Sequence, residues 1–109
     1  MDYLDTLSQF SSNLDYRTLD ADVKDQVGWI LADTVAAMAA GSAEPELRAI
    51  AKKQAHVTAN SHAAQLIGLG ACSTAEAAAF INGTSGTFLE MDEGNRFSRG
   101  HPAVHVIPA

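Results

Sequence analysis

The chain reads as all-α and bundle-like. Three observations predict this. Apolar residues recur at spacings of three and four along most of its length, helix-starting and helix-stopping residues bracket those stretches, and no internal repeat or low-complexity linker interrupts them.

Taken in order, Asp2 to Leu14 carries Leu4, Leu7, Phe10 and Leu14, one stripe of an amphipathic helix that needs a partner to cover it. Asn13 to Thr18 is a polar connection, and Asp20 is placed to cap a second helix. Along that helix Val23, Val27, Ile30, Leu31, Thr34, Val35 and Met38 keep the pattern, alanines fill the neighbouring faces, and Gly41 stops it. Its small residues permit close helix contact. Asp33, inside the helix, is expected to be a buried or edge acid that orders backbone near it.

Glu44-Pro45 opens a third helix, because proline is tolerated in a first turn, and Leu47, Ile50, Ala51 and Gln54 carry it to about Val57. His56 and His62 flank a turn-prone stretch at 58–61, and each reads as a structural or surface histidine. Ala63 to Leu69 is ambiguous between one strand and an extended connection. Gly68-Leu69-Gly70 lacks the third glycine of a dinucleotide loop and the Gly-Lys-Ser/Thr of a Walker loop, so it is no phosphate loop of either kind.

Ser73-Thr-Ala-Glu76 is a capping box for a fourth helix bearing Ala77, Phe80, Ile81, Thr84 and Phe88. Gly83 and Gly86 inside it cost roughly 1 kcal/mol each relative to alanine. That cost implies another backbone packed closely against them.

Composition narrows the function. A length of 109 residues is one domain at most, and the net charge of −6 with a lone basic pair, Lys52-Lys53, excludes nucleic acid as a partner. The single cysteine, Cys72, cannot form an internal disulfide and reads as a small buried thiol in a reducing compartment. No apolar run is long enough to span a membrane and the N-terminus lacks a basic start, so a cytoplasmic location is expected.

The chemistry concentrates in the last fifth. Glu90, Asp92 and Glu93 fall within four residues, a polar loop with Asn95, Arg96 and Arg99 follows, and His101 and His105 sit four apart around Pro102. Charge clusters in loops are commonly just solvated. Carboxylates two apart share no helix face, however, so this set belongs at a helix end or turn, where acids converge with a histidine for proton transfer. His101 and His105 also have the spacing of two metal ligands on one helix face, but without the adjacent glutamate of a zinc-peptidase motif the reading is no metal.

The runs Ala77-Ala-Ala-Phe-Ile-Asn-Gly-Thr84, Leu89-Glu-Met-Asp-Glu93 and Gly100-His-Pro-Ala-Val-His-Val-Ile-Pro108 resemble the MmgE/PrpD family of 2-methylcitrate dehydratases and cis-aconitate decarboxylases. Leu31 to Gly41 is similar to that family's first long helix, and Asp33 matches its pattern there. Two positions depart from it: Glu90 stands in place of the first aspartate, and Gly94 where many members carry threonine. The loop to His101 is also about one residue longer.

The resemblance implies that residues 1–109 are the N-terminal, incomplete part of a helical domain. It implies a lyase acting on a small di- or tricarboxylate without metal or organic cofactor. His101, Glu90 and Asp92 are then the catalytic set: His101 transfers a proton or meets a substrate carboxylate at a helix start, and the two acids orient it or bear on proton transfer. Asn95, Arg96 and Arg99 would hold substrate carboxylates. A homodimer or a separately encoded C-terminal half would be the partner. The alternative is an inactive helical fragment that works only by association, its apolar segment Val104 to Ala109 and its alanine-rich helices seeking another surface.

Overall fold

The computed structural model describes residues 2–57 and 64–109. The expected turn at 58–61, His62 and the side chain of His56 lie outside the described residues. The chain runs α1 (Tyr3–Asn13), a 3-10 turn (Tyr16–Thr18), α2 (Ala21–Gly41), α3 (Pro45–Val57), β1 (Ala64–Leu66), β2 (Ala71–Ser73), α4 (Ala75–Phe88) and α5 (Pro102–Val106). The helices fall where periodicity and caps place them, with Asp20 as the N-cap of α2, Gly41 as its last residue and Pro45 opening α3.

The expectation of a purely helical chain needs correction. β1 and β2 pair antiparallel, with Ala64 opposite Ser73, Gln65 opposite Cys72 and Leu66 opposite Ala71. Strands of three residues are too short for alternation to register. The visible signal was Gly68-Leu69-Gly70, which is the hairpin loop. Gly68 and Gly70 have φ of +76° and +63°, a left-handed backbone that glycine enters freely. A Cβ on Gly68 would also strike the Ser42 hydroxyl, so this loop rests against the end of α2.

The hairpin also moves the cap of α4. Ser73 is fully buried in β2, opposite Ala64, and Thr74 caps the helix instead, its hydroxyl accepting from the Ala77 N–H at 3.2 Å. Glu76 therefore stands one position too early for the expected box, because the strand extends through the serine.

Two packing regions meet on α4. On one side Ala51, Leu66, Ala78 and Ile81 form a buried cluster, with Ala64, Leu69 and Ala71 packed on it. On the other, α4 crosses the C-terminal half of α2, where Thr34, Met38 and Gly41 are the buried residues of that helix. Here the backbones nearly touch: a Cβ on Gly41 would overlap the Ser85 carbonyl. The close backbone approach expected at Gly83 and Gly86 is found instead at Gly41 of α2, against Ser85 of α4. Gly86 is tight against side chains, with Val104 and Met38 atoms 3.0 and 3.4 Å from an added Cβ, whereas Gly83 has ordinary room.

Asn82 ties the hairpin to α4. Its Oδ1 accepts from the Ile67 N–H at 2.9 Å and its Nδ2 donates to the Gln65 carbonyl at 3.0 Å, so one side-chain amide pairs with the edge of β1 as a neighbouring strand would. Truncation strands both main-chain groups in a partly buried place. Asn82→Ala is expected to lower stability by about 2 kcal/mol in urea titration, since each group left unmatched costs on the order of 1–3 kcal/mol.

The N-terminal half is lightly packed. No residue of α1 is buried, and Leu4, Leu7 and Phe10 along its stripe are more than half exposed or close to it. Val23, Val27 and Leu31 of α2 are exposed as well. Asp33, expected to be a buried or edge acid, is exposed on α2. In the 3-10 turn the Arg17 guanidinium binds the Asp15 carboxylate, with Nη2 to Oδ2 at 2.7 Å, and holds that carboxyl below its usual range. Among the described residues no helix is long and apolar enough to cross a membrane.

Candidate functional site

The site is built from the segment that leaves α4 and enters α5. Leu89 ends α4 as its C-cap, and Glu90 follows with φ of 54°. This is the position after a helix cap at which glycine is usual. Glu90 closes the last turn by donating its N–H to the Thr87 carbonyl at 3.0 Å, and its side chain is exposed. Glu90→Gly is therefore expected to raise stability by roughly 0.5–1 kcal/mol, read as a higher denaturation midpoint, because it relieves the left-handed backbone. A conformation kept at such a cost is found where a side chain is needed.

Past Glu90 the chain turns inward. The Asp92 side chain is 4% exposed, and its Oδ2 lies 3.2 Å from His101 Nδ1. His101 Nδ1 lies closer, 2.8 Å, to the main-chain carbonyl of Glu93. A carbonyl oxygen only accepts, so Nδ1 carries the hydrogen and donates it there. Asp92 Oδ2 stays beside the ring as a buried carboxylate oxygen that no hydrogen bond reaches among the described residues. The ring is about half exposed. With Nδ1 committed, Nε2 is the nitrogen left for exchange.

Between these residues the chain makes a closed loop. The Asn95 N–H donates to the Gly100 carbonyl at 2.8 Å, and Asn95 Oδ1 accepts from the Phe97 and Ser98 N–H groups at 3.0 and 2.9 Å. Asn95, read from sequence as a substrate contact, has its carbonyl oxygen engaged in holding this turn. Arg96 and Arg99 are exposed on it, Arg99 with φ of 52°. The loop spends its residues in returning the chain to His101 beside Asp92.

His101 is the N-cap of α5, and Pro102 occupies the first turn, its fixed φ suited to a helix start. His101 makes no side-chain cap bond; the Ala103 N–H is taken by Glu93 Oε2 at 3.2 Å. The anion expected at this terminus is thus the protein's own carboxylate. His105 lies within α5 and lines a shallow groove against α4 with Thr84, Thr87 and Pro108, apart from the Asp92 contact. Among the described residues no three His, Cys, Asp or Glu side chains group so as to hold a metal ion. Cys72 is a free, half-buried thiol on β2.

Next to the site, Val27, Ile30, Leu31, Ala103, Val106 and Ile107 line a groove of about 340 Å³ between α2 and α5, with Glu93 and Asn95 at its edge. Of the residues singled out from sequence, the structure brings Asp92 and His101 together. Glu90, Arg96 and Arg99 are exposed along the same connection. Glu93 was counted only as one more acid; its two contacts eight and ten residues downstream leave no trace in local spacing.

No curated protein and no solved structure is detectably similar to the chain. The family model described as the MmgE/PrpD N-terminal domain matches residues 5–109, which takes in every helix but the first two residues of α1, the hairpin and the whole Asp92–His101 connection. On that match the chain belongs to the MmgE/PrpD family.

Proposed function

We infer that this domain carries the proton-transfer part of a lyase acting on a small di- or tricarboxylate. The observation that supports this is the His101 ring, fixed through Nδ1 at 2.8 Å to the Glu93 carbonyl with the buried Asp92 oxygen 3.2 Å away. Family membership makes a dehydratase or related lyase the natural reaction class.

In such a reaction a base removes a proton from carbon, the electron pair becomes the new double bond, and the leaving hydroxide departs as water once an acid protonates it. His101 Nε2 serves as that base or that acid. Uptake of a proton makes an imidazolium, and the Asp92 carboxylate, its Oδ2 3.2 Å from Nδ1, stabilises that charge through space, while the Glu93 carbonyl takes the Nδ1 hydrogen bond that the aspartate of a hydrolase triad would take. Glu90, at the head of the connection, is assigned to orienting the histidine or to the second proton transfer. Arg96 and Arg99, with the amide of Asn95, are assigned to the substrate's carboxylates. We place the domain in a larger assembly, a homodimer or a chain with a C-terminal half, that completes the cleft.

The test is turnover. The complete assembly, offered 2-methylcitrate, cis-aconitate and related small carboxylates, should form the unsaturated or decarboxylated product detected by ultraviolet absorbance and mass spectrometry, and residues 1–109 by themselves should not. A second reading, a helical subunit acting by association alone, draws on the exposed apolar residues of α1 and α2. Association with a partner in a protein that turns over none of these acids would favour it.

A further inference from the structure

We propose that Glu93 is the positioning residue for His101, acting from its backbone and its side chain at once; the proposal rests on the reading of His101 as the proton-transfer group. The main-chain carbonyl of Glu93 accepts from the ring at Nδ1, 2.8 Å away, and its carboxylate Oε2 accepts from the Ala103 N–H at 3.2 Å. The first bond sets the rotation of the ring. The second holds the backbone on which the ring is mounted.

Three features make this clamp necessary. α5 has five residues, too short to keep its own register, and its N-cap is His101, which offers no side-chain cap. Pro102 has no N–H, so the Ala103 amide is the first donor of the helix that a cap can take. The ring itself is about half exposed, so packing does not restrain it as it would a buried side chain. Without the Glu93 carboxylate the Ala103 N–H loses its acceptor, and the turn at 101–103 is left to the Asn95–Gly100 bridge, the ring's own bond to the Glu93 carbonyl and the packing of Ala103 and Val104. Glu93 itself is half-buried and is one of the residues lining the groove between α2 and α5.

The role requires an acceptor at Oε2, not a negative charge or a transferable proton. Glu93→Gln keeps the acceptor and Glu93→Ala removes it. In the full protein, Glu93→Ala is expected to lower kcat roughly 10- to 100-fold with KM changed far less, since misplacing a catalytic group by an ångström costs about that factor. Glu93→Gln should restore kcat to within about threefold of the parent. A second readout needs no substrate. Nitrogen-15 NMR of His101 should show the neutral ring protonated at Nδ1 in the parent and in Glu93→Gln, and a mixture of the two neutral forms in Glu93→Ala. If Glu93→Gln loses as much turnover as Glu93→Ala, Glu93 is itself a proton-transfer group and the proposal fails. It also fails if the ring populations in Glu93→Ala match the parent's. If the ring responds as stated while no carboxylate is turned over by any variant, the positioning stands and the lyase reading of His101 falls.

Discussion

Replacing His101 with asparagine is expected to lower turnover of the physiological carboxylate roughly 10²–10⁴-fold, the span associated with a positioned acid or base. Asparagine is chosen because its side-chain N–H occupies nearly the place of Nδ1 and can still donate to the Glu93 carbonyl, 2.8 Å away in the parent. The loop and α5 therefore keep their main tie, and what disappears is the nitrogen that exchanges a proton. The denaturation midpoint should move little, because the ring is about half exposed and buries little apolar surface. Turnover within threefold of the parent would remove His101 from the reaction. Loss of turnover together with a large fall in stability would assign the histidine to structure instead.

The second large effect concerns α2 and α4. Gly41→Ala is expected to cost about 3 kcal/mol or more, because a Cβ there meets the Ser85 carbonyl, a backbone group that cannot rotate aside. Relief requires the two helices to separate. That would loosen Met38 and Val104, both of which press on Gly86. A typical domain has only about 5–15 kcal/mol in hand, so this single methyl removes a large share. Gly83→Ala in α4 is the control: nothing lies closer than 3.8 Å to its added Cβ, so the better helix former should gain up to about 1 kcal/mol. Chemical denaturation of the two variants side by side checks both signs. Equal effects would mean that the crossing is not the tight contact described.

Much of this architecture was legible because helices carry their instructions locally. Asp20, Gly41 and Pro45 mark boundaries by their own backbone chemistry, and the apolar spacing of α2 and α4 needs no knowledge of what lies across from them. The hairpin was not, because a three-residue strand gains its identity from its partner and from Asn82, seventeen positions beyond Gln65. An asparagine inside an alanine-rich helix was the available hint, being a weak helix former with a side chain that seeks backbone. The site divides the same way. The resemblance placed Asp92 and His101 together; it did not foretell that Asn95 Oδ1 would be engaged by its own loop, nor that Glu93 would reach the Ala103 amide. Those contacts depend on how many residues the loop from 94 to 100 needs to return, a three-dimensional quantity that residue types alone do not encode.

The exposed stripe of α1 has a consequence for how the molecule opens. A helix of eleven residues with no buried residue draws little stability from packing, and a helix that short is marginal in water. Its amides should then trade hydrogen for deuterium through local fraying, within seconds to minutes, while those of α4 wait for cooperative unfolding of the core. The domain would behave as two units of unequal protection. Whatever surface comes to lie on Leu4, Leu7 and Phe10 would fuse them, and the slowing of exchange in α1 would report that event directly.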